Sequence, residues 1–358
     1  MRLIIMPGDG IGPEIIRAAI EVADVASVKF GLALTYDYED IGFASLAQHG
    51  TTLRPEILDK ARNYDGIILG TISHADYPPP EMGGRNVSAS FRVDLDLFAN
   101  VRPARTRPFI ETNMRSGRIM DLVIMREATE GFYADRNMTR GSGECMPSPD
   151  MALATRKITR HCSERIARAS FELAMKRRRK VTAIHKANCF LMTDGLFLEA
   201  VRHVARDYPE VELDDMLVDA ATAHLVRSPE RFDVICATNF FGDILSDLAS
   251  ELSGGLGLAG SINASALLCC AQAQHGSAPD LAGKNIANPT SMILSVAMLL
   301  DWMGTRHRRP EFYKAAESME VAVDTVLRDP LSRTADLGGT IGTVEFGRRV
   351  ANAIAQAT

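Results

Sequence analysis

Short apolar runs alternate along the chain with longer stretches in which apolar residues recur every three or four positions. The apolar runs predict buried β-strands at 3–6, 66–70, 122–127, 180–186 and 234–239. The helical spacing predicts helices at 13–28, 163–178, 194–206 and 291–302. Strands that alternate with helices in this way predict an α/β protein.

Length and composition favour two domains. The chain has 358 residues, 46% of them hydrophobic, which exceeds the usual size of one domain and supplies a sizeable core. No repeat, low-complexity segment or Pro/Gly/Ser-rich linker divides the chain. A two-domain protein without a clear linker is expected to cross between its domains more than once.

Charge and hydropathy argue against several kinds of partner. A formal net charge of -5 gives no reason to expect nucleic acid or an anionic membrane. The basic runs 176–180 and 306–309 are typical of solvated helix ends. No apolar run reaches the roughly 18 residues of a membrane span, and Arg2 leads directly into LIIM without a signal-peptide pattern. We therefore expect a cytoplasmic protein.

The cysteines suggest no disulfide framework and no zinc site. They stand at 145, 162, 189, 236, 269 and 270, without C-x-x-C or zinc-type Cys/His spacing. In a reducing compartment they are expected to be buried or incidental thiols. Cys189 is close enough to the segment HKAN to line a site, although the incidental role is favoured.

Two carboxylates stand four residues apart in the segment 239–260, NFFGDILSDLASELSGGLGLAG. We expect a helix to begin at Gly242, so that Asp243 and Asp247 face the same way. Like charges at this spacing oppose each other unless a cation lies between them. Mg²⁺ or Mn²⁺ is the natural candidate, since both prefer oxygen ligands. The alternative is that both acids simply favour the positive end of the helix.

The same segment contains a literal dinucleotide fingerprint. Gly255, Gly257 and Gly260 form G-x-G-x-x-G, and Asp280 follows twenty residues later. The fingerprint requires a strand before the glycines and a helix opening on them, whereas a predicted helix precedes these. The glycines of GDGIG at 8–12 have the wrong spacing. Both sets are therefore interpreted as tight turns and close backbone approaches.

Taken together, six segments resemble the β-decarboxylating dehydrogenases, the family of isocitrate, 3-isopropylmalate, homoisocitrate and tartrate/D-malate dehydrogenases. They occur in the family's order and span residues 6 to 290: MPGDGIGPEI, LDLFANVRP, MREATEGFY, HKAN, NFFGDILSD and HGSAPDLAGKNIANPT. The resemblance implies a large NAD-binding domain from 1–99 and 255–358. It also implies a dimerisation domain from 100–254, with an arm at about 133–157 that interlocks between two subunits.

The resemblance assigns the chemistry to particular side chains. Asp243, Asp247 and Asp219 would bind Mg²⁺ or Mn²⁺, with Asp219 coming from the neighbouring subunit of a homodimer. The metal would chelate the substrate's 2-hydroxyl and C1 carboxylate. Lys186, also acting across the subunit boundary, would accept the hydroxyl proton. Tyr133 would protonate the carbon from which CO₂ leaves.

Three arginines match the residues that clamp the substrate carboxylates in the family. They are Arg92, Arg102 and Arg126. A guanidinium group suits this task because its planar fork meets a carboxylate bidentately. These residues imply hydride transfer from a 2-hydroxy diacid to NAD, followed by loss of the β-carboxylate.

The segment HGSAPD indicates which nicotinamide cofactor is used. Family members that use NAD carry an acid at the position of Asp280, where it can accept hydrogen bonds from the adenosine ribose. Members that use NADP carry a basic residue there. The other residues that match the family's adenine-side loop are His275, Gly276, Ala278 and Asn288.

The segment ahead of Arg92 departs from the known specificity patterns. Isopropylmalate dehydrogenases have two leucines where Ser88 and Ala89 stand. Isocitrate dehydrogenases have Arg, Ser and Asn at the positions of Arg85, Asn86 and Ser88, so here Ser and Asn are exchanged. We expect a wider, more polar pocket, with Arg85 able to reach a third carboxylate.

Other functions were weighed against this one. Within the family, the alternatives are tartrate/D-malate specificity or a non-catalytic regulatory subunit, although every metal, base and acid position is filled here. A 4-phosphohydroxythreonine-type or phosphotransacetylase-like enzyme could share a similar fold, but it would not need HGSAPD beside the pair Lys186 and Asp219.

Overall fold

The computed structural model describes residues 1–114, 117–138 and 140–357. Its strands are β1 (Arg2–Gly8), β2 (Thr35–Tyr38), β3 (Gly66–Thr71), β4 (Ala99–Arg105), β5 (Asp121–Glu127), β6 (Glu144–Ser148), β7 (Met151–Ala154), β8 (Lys180–His185), β9 (Glu212–Leu217), β10 (Val234–Ala237), β11 (Ile262–Ala264) and β12 (Cys269–Gln272). Its helices are α1 (Gly12–Phe30), α2 (Gly42–His49), α3 (Pro55–Ala61), α4 (Val87–Asp94), α5 (Arg160–Met175), α6 (Thr193–Ala205), α7 (Val218–Arg227), α8 (Asn239–Ser253), α9 (Thr290–His307), α10 (Pro310–Arg328) and α11 (Thr343–Gln356). The predicted α/β class is confirmed.

The chain divides into two compact units, and the first comprises residues 1–95, 107–111 and 255–358. Its strands lie in the order β2, β1, β3, β12, β11. The pairs β2–β1, β1–β3 and β3–β12 are parallel, and β12–β11 is antiparallel. β3 is buried along its whole length, as expected of a parallel strand covered on both faces.

The second unit comprises residues 96–106 and 112–254. Its strands lie in the order β4, β5, β10, β8, β9, with β4–β5 antiparallel and the remaining pairs parallel. One hydrophobic cluster packs residues of α5 and α6 against the sheet, and a second packs residues of α7 and α8 against it. Helices therefore cover this sheet on both faces.

The parallel strands of the second unit bring several polar residues to one edge. The carboxyl ends of β5, β8 and β10 meet there: Arg126 is the penultimate residue of β5, Lys186 follows β8 and Thr238 follows β10. The antiparallel strand β4 places Asn100 opposite Arg126. In open α/β sheets, ligands bind in the crevice beyond the carboxyl ends of the strands, so this edge is where a site is expected.

An exposed hairpin projects from the second unit within the range predicted to form an arm. β6 and β7 pair antiparallel, and every residue of both strands is exposed. Its base is fastened by a reciprocal backbone pair between Gly131 and Lys157, with both N–H···O distances at 3.0 Å. Thr139, which also falls in the predicted arm, lies outside the described residues.

The predicted elements are found, with several displaced boundaries: the helices predicted at 163–178 and 291–302 are Arg160–Met175 and Thr290–His307. The helix expected from Gly242 begins at Asn239, and the strand predicted to reach Asn239 ends at Ala237. Thr238 has extended backbone angles and its carbonyl accepts the amide of Gly242 at 2.8 Å, so the first turn forms earlier. The apolar and β-branched character of 234–238 conceals this boundary in the sequence.

The cysteines differ in exposure: Cys145 and Cys189 are exposed, and Cys162 is partly exposed. All six cysteines are free, and Cys236, Cys269 and Cys270 are buried. Within the described ranges, no helix is long and apolar enough to cross a membrane.

Candidate active site

The two carboxylates of α8 converge on one arginine. Asp243 and Asp247 lie on the same face, and Nη1 of Arg102 approaches an Oδ1 atom of each at 3.1 and 3.2 Å. The same Nη1 donates to Oγ of Ser246 at 2.7 Å. The four-residue spacing thus produces the common face that the sequence predicted, and both carboxylates can serve one cation.

Arg102 itself is almost fully buried, with 6% of its surface exposed. Burial lowers its pKa to about 10, and the nearby Arg126 also lowers it, while Asp243 and Asp247 raise it. The group remains protonated at neutral pH. A buried cation of this kind is stable only beside carboxylates or another anion.

Arg126, at the end of β5, is the second buried cation of the cluster and is 1% exposed. Its Nε donates to Oδ1 of Asn239 at 2.8 Å, Nη2 donates to the hydroxyl of Tyr133 at 3.2 Å, and Nη1 donates to Asp243. Nδ2 of Asn239 donates to the carbonyl of Glu130 at 2.8 Å. Asn239 therefore fixes both the guanidinium fork and the loop that leads to Tyr133.

Tyr133 completes the cluster as a proton donor. Its hydroxyl donates to Oδ2 of Asp243, and the guanidinium of Arg136 lies 4.7 Å from the centre of its ring. Burial raises the pKa of Tyr133, Arg126 lowers it and Asp243 raises it again, with a net upward shift. The phenol is consequently protonated at neutral pH.

Lys186 follows β8 and contacts Asp219 at the start of α7. Nζ lies 2.5 Å from Oδ1 of Asp219, whose side chain is 64% exposed. This hydrogen bond lowers the pKa of Asp219. The backbone N–H of Lys186 donates to Oδ2 of the fully buried Asp194 at 2.6 Å. The lysine therefore has a fixed backbone and a partly accessible amine.

The three predicted metal ligands are not gathered within one chain. Among the described residues, no group of three or more His, Cys, Asp or Glu side chains is placed to hold a metal ion. Asp243 and Asp247 supply two oxygen donors on one helix face. The sequence expectation that Asp219 is contributed by a neighbouring subunit stays a prediction.

The proposed specificity segment lies in the first unit, around α4. Asn86 caps this helix, because its Oδ1 accepts the amide of Ala89 at 3.0 Å. Oγ of Ser88 accepts from Nε2 of Gln272 at 3.0 Å, and Nε of Arg92 donates to Oδ1 of Asn263 at 3.0 Å. Asn86 thus occupies a capping position that serine could fill as well, so capping alone does not account for the exchange of Asn and Ser noted in the sequence.

The segment around Arg85 is held by its backbone. The N–H of Arg85 donates to Oγ1 of Thr52 at 2.8 Å, and the same hydroxyl donates to the carbonyl of Arg85 at 3.0 Å. Thr52 is fully buried, whereas Arg85 is partly exposed. Ala89, expected to line the pocket, is 5% exposed, so Ser88 is the more accessible of the two.

The HGSAPD loop is docked on the loop that follows β1. The N–H of Ile11 donates to the carbonyl of Ser277 at 2.8 Å, and the hydroxyls of Ser73 and Ser277 lie 2.7 Å apart. A Cβ at Gly10 would lie 2.0 Å from that carbonyl oxygen. The expected close backbone approach of GDGIG is therefore confirmed. Ala278 adopts left-handed angles with φ 39°.

One polar atom of this loop lacks a partner. Nε2 of His275 is buried and makes no hydrogen bond, while its Nδ1 lies 3.0 Å from the carbonyl of Gly276. Burial lowers the pKa of His275, so the ring is neutral at pH 7. With Nδ1 donating to the carbonyl, Nε2 is an acceptor. Gly276 and Asp280, the latter within a short turn, are exposed.

Asn288 and the glycine-rich segment have structural partners. Nδ2 of Asn288 donates to Asp336 at 2.9 Å, and its Oδ1 accepts the amide of Thr290 at 3.0 Å. Gly255 follows the end of α8, and the next regular strand begins at Ile262. A helix therefore precedes these glycines, and rejection of the dinucleotide fingerprint is confirmed.

Comparison with known proteins places these residues in a family context. The model of the isocitrate/isopropylmalate dehydrogenase family matches residues 2–350. The chain is 41% identical over 352 residues to the 3-isopropylmalate dehydrogenase of Archaeoglobus fulgidus, covering 98% of each chain. It is 42% identical over 355 residues to the isocitrate/homoisocitrate dehydrogenase of Thermus thermophilus, covering 99% of this chain and 98% of that one. A crystal structure of isocitrate dehydrogenase from Methylococcus capsulatus superposes with a TM-score of 0.87 at 38% identity, covering 99% of both chains.

Proposed function

The chain belongs to the isocitrate/isopropylmalate dehydrogenase family, as its six sequence segments predicted, and is an oxidoreductase; from this premise we propose that it uses NAD and a divalent metal to decarboxylate a 2-hydroxy diacid oxidatively. The observation that carries the proposal is the cluster of Arg102, Arg126, Tyr133 and Asp243. It combines two carboxylate-binding cations with a proton donor.

The donor set fits a hard divalent cation. Oxygens of Asp243 and Asp247 already converge on one positive group, Nη1 of Arg102, and carboxylate oxygens are the ligands that Mg²⁺ and Mn²⁺ prefer. Asp219 of a second subunit would complete the set, which makes the active unit a homodimer with shared sites. When bound, the metal would polarise the substrate's 2-hydroxyl and stabilise negative charge on that oxygen.

The arginines orient the diacid. Arg102 and Arg126 already bind carboxylates of their own chain, and the planar fork of each suits a substrate carboxylate equally well. Arg92, held by Asn263 on β11, would bind a further carboxylate oxygen. Several arginines around one substrate match a diacid better than a monoacid.

Lys186 and Tyr133 divide the proton transfers. Lys186, with its amine neutral, would accept the 2-hydroxyl proton, and NAD, when bound, would take the hydride from C2, which leaves a 2-oxo acid. The bond from C3 to its carboxylate then breaks, CO₂ leaves, and the electron pair stays with the remaining carbon chain. Tyr133 supplies the proton that this carbon needs, and its raised pKa keeps that proton available.

The cofactor loop fits an adenine nucleotide without a 2′-phosphate. The unpartnered Nε2 of His275 offers a buried acceptor to an N–H donor. Asp280 offers acceptors to ribose hydroxyls, and its negative charge opposes an additional phosphate. NAD is therefore proposed over NADP.

The substrate is proposed to carry a small or carboxylated 3-substituent. Ser88 and Gln272 present polar groups beside α4, where two leucines would form an apolar wall for an isopropyl group. Isocitrate, tartrate and D-malate are therefore favoured over 3-isopropylmalate. A non-catalytic regulatory role is the second candidate, and the complete set of metal, base and acid residues weighs against it.

An assay of NADH formation tests the proposal. The purified protein is given NAD, Mn²⁺ and each of isocitrate, tartrate, D-malate and 3-isopropylmalate in turn, with EDTA-treated protein as the control. We expect metal-dependent NADH formation with at least one diacid and none with Asp243→Asn. Absence of activity with every diacid, from a protein that unfolds cooperatively, would favour the regulatory role.

A further inference from the structure

One arginine outside the proposed chemistry contacts residues that adjoin or support Tyr133, Lys186 and Asp243. Arg156 follows β7, and its side chain is 5% exposed. Its Nη1 lies 2.6 Å from Oδ1 of Asp194, a carboxylate with no exposed surface. Removing both charges from water costs desolvation free energy, which the attraction between them and hydrogen bonds from surrounding groups must offset.

Three phenylalanine rings enclose the guanidinium group. Its central carbon lies 5.1 Å from the ring centre of Phe132, 5.1 Å from that of Phe190 and 5.2 Å from that of Phe241. Each distance is within the range of a cation–π interaction, which is stronger when the cation is desolvated. The cage holds the arginine in one place.

Hydrogen bonds from the same guanidinium reach two helix starts. Nη1 donates to Oγ1 of Thr193 at the beginning of α6, at 3.1 Å, and Nη2 donates to Oγ1 of Thr238 at 3.2 Å. Thr238 stands at the N-cap of α8, yet its side chain makes no capping hydrogen bond. A threonine at this position usually accepts an N–H of the first turn, whereas here its hydroxyl accepts from Arg156.

Each contact leads directly to a proposed reactive group. Phe132 precedes Tyr133, and Thr238 and Phe241 hold the start of the helix that carries Asp243. Asp194 accepts the backbone N–H of Lys186 at 2.6 Å. One guanidinium group therefore joins the segments that present the acid, the base and a metal ligand.

We propose that Arg156 is a positioning residue that sets the placement of Tyr133 and Asp243 in one active site of the homodimer and of Lys186 in the other. The inference rests on the function proposed above. Because the backbone of Lys157 pairs with Gly131, the base of the exposed hairpin is part of the same arrangement. Loss of the guanidinium displaces reacting groups of both sites without removing any of them.

Four variants of the full-length protein separate positioning from simple stabilisation. Arg156→Met removes the charge but fills the phenylalanine cage. Arg156→Met combined with Asp194→Asn also removes the buried carboxylate and retains an oxygen for the amide of Lys186. Arg156→Lys keeps the positive charge but loses the planar guanidinium group that donates to two threonines at once. Arg177→Met is the matched control, because Arg177 pairs with the buried Asp233 in the same unit and contacts none of the proposed site residues.

We expect Arg156→Met to lower kcat by about 10- to 100-fold, because small misplacements of reacting groups cost rates of that order. KM for NAD should change by less than about twofold, since the proposed cofactor residues belong to the other compact unit. The unfolding midpoint of the double variant should return most of the way from that of Arg156→Met to that of the wild type, because no unpaired buried charge remains. Its kcat should stay low. The kcat of Arg156→Lys should lie between that of Arg156→Met and that of the wild type.

The outcomes distinguish the two proposals. If the double variant regains kcat together with stability, or Arg156→Lys equals the wild type, the role of Arg156 is structural only and the inference is overturned. The same follows if Arg177→Met loses kcat to the same extent. If the wild-type protein forms no NADH with any diacid, the proposed function has failed instead, and the inference falls with it.

Discussion

Gly242 lies against Arg126 so closely that a Cβ on residue 242 would stand 2.7 Å from the Cβ of the arginine. This contact is tighter than any side chain tolerates, and Arg126 is 1% exposed and held by Asn239. The glycine therefore allows α8 to approach β5 and brings Asp243 to the guanidinium group.

Gly242→Ala should lose activity even though alanine is the better helix former. Alanine gains about 0.5–1 kcal/mol of helix propensity over glycine, but its methyl group must push Arg126 away from Asp243. We expect kcat/KM for the diacid to fall by about 100-fold, which corresponds to the free energy of one lost hydrogen bond between charged groups.

The matched control is Gly195→Ala, also within a helix, where an added Cβ meets open space. This variant should keep the wild-type kcat/KM. If Gly242→Ala retained full activity, close contact between α8 and Arg126 would be irrelevant to catalysis.

Asp280 should determine the preference for NAD over NADP. The side chain is exposed, so solvent screens its repulsion of a 2′-phosphate. We therefore expect kcat/KM with NAD to exceed kcat/KM with NADP by about tenfold. Asp280→Asn should reduce the ratio and Asp280→Lys should reduce it further. Steady-state kinetics with both cofactors measures this, and equal efficiency of the wild type with both would refute the role of Asp280.

Ser88 should select against an isopropyl substituent. Ser88→Leu combined with Ala89→Leu introduces the two leucines of isopropylmalate enzymes. Their buried methyl and methylene groups should contribute about 2 to 4 kcal/mol of binding free energy for the isopropyl group. We expect the double variant to gain kcat/KM with 3-isopropylmalate and to lose it with the polar diacids.

The wild type should show the opposite order of substrates. Gln272→Ala is a milder probe, because it removes only the donor to Ser88, and it should weaken the polar diacids without improving 3-isopropylmalate. If wild-type kcat/KM for 3-isopropylmalate exceeds that for every polar diacid, residues outside 85–91 must form an apolar wall, and the specificity proposal is wrong.

Shared active sites should permit complementation between inactive subunits. A dimer of Lys186→Ala and Asp243→Ala subunits would contain one intact site if Lys186 acts across the boundary. Activity should rise after subunit exchange, to about a quarter of wild type for random mixing of equal amounts with independent sites. Exchange demonstrated by mass spectrometry with no recovered activity would place both residues in one site of the same chain.

The local periodicity of the sequence predicted elements and faces, but not the contacts between distant segments. The 3.6-residue period placed Asp243 and Asp247 on one face, and the structure agrees. The start of α8 was misplaced because residues before Asn239 have strand character while Thr238 already has N-cap geometry. Boundaries depend on such single-residue backbone choices.

Several partners of site residues had no local signal at all. Gln272 reaches Ser88 across 184 positions of sequence, and Asp336 reaches Asn288 across 48. Arg156 follows the short strand MALA and Thr155, which carry no motif, and only the folded chain places it beside Asp194. Long-range pairs of this kind are fixed by tertiary packing, so a single sequence does not reveal them.

The stoichiometry of CO₂ release tests the central claim most directly. The diacid that supports NADH formation is labelled with ¹³C in its β-carboxylate, and labelled CO₂ and NADH are quantified in the same reaction with Mn²⁺. We predict one labelled CO₂ for each NADH, with both products lost together in Asp243→Asn. NADH formation without labelled CO₂ would contradict the account, because the chain would then oxidise its substrate without breaking the bond to the β-carboxylate.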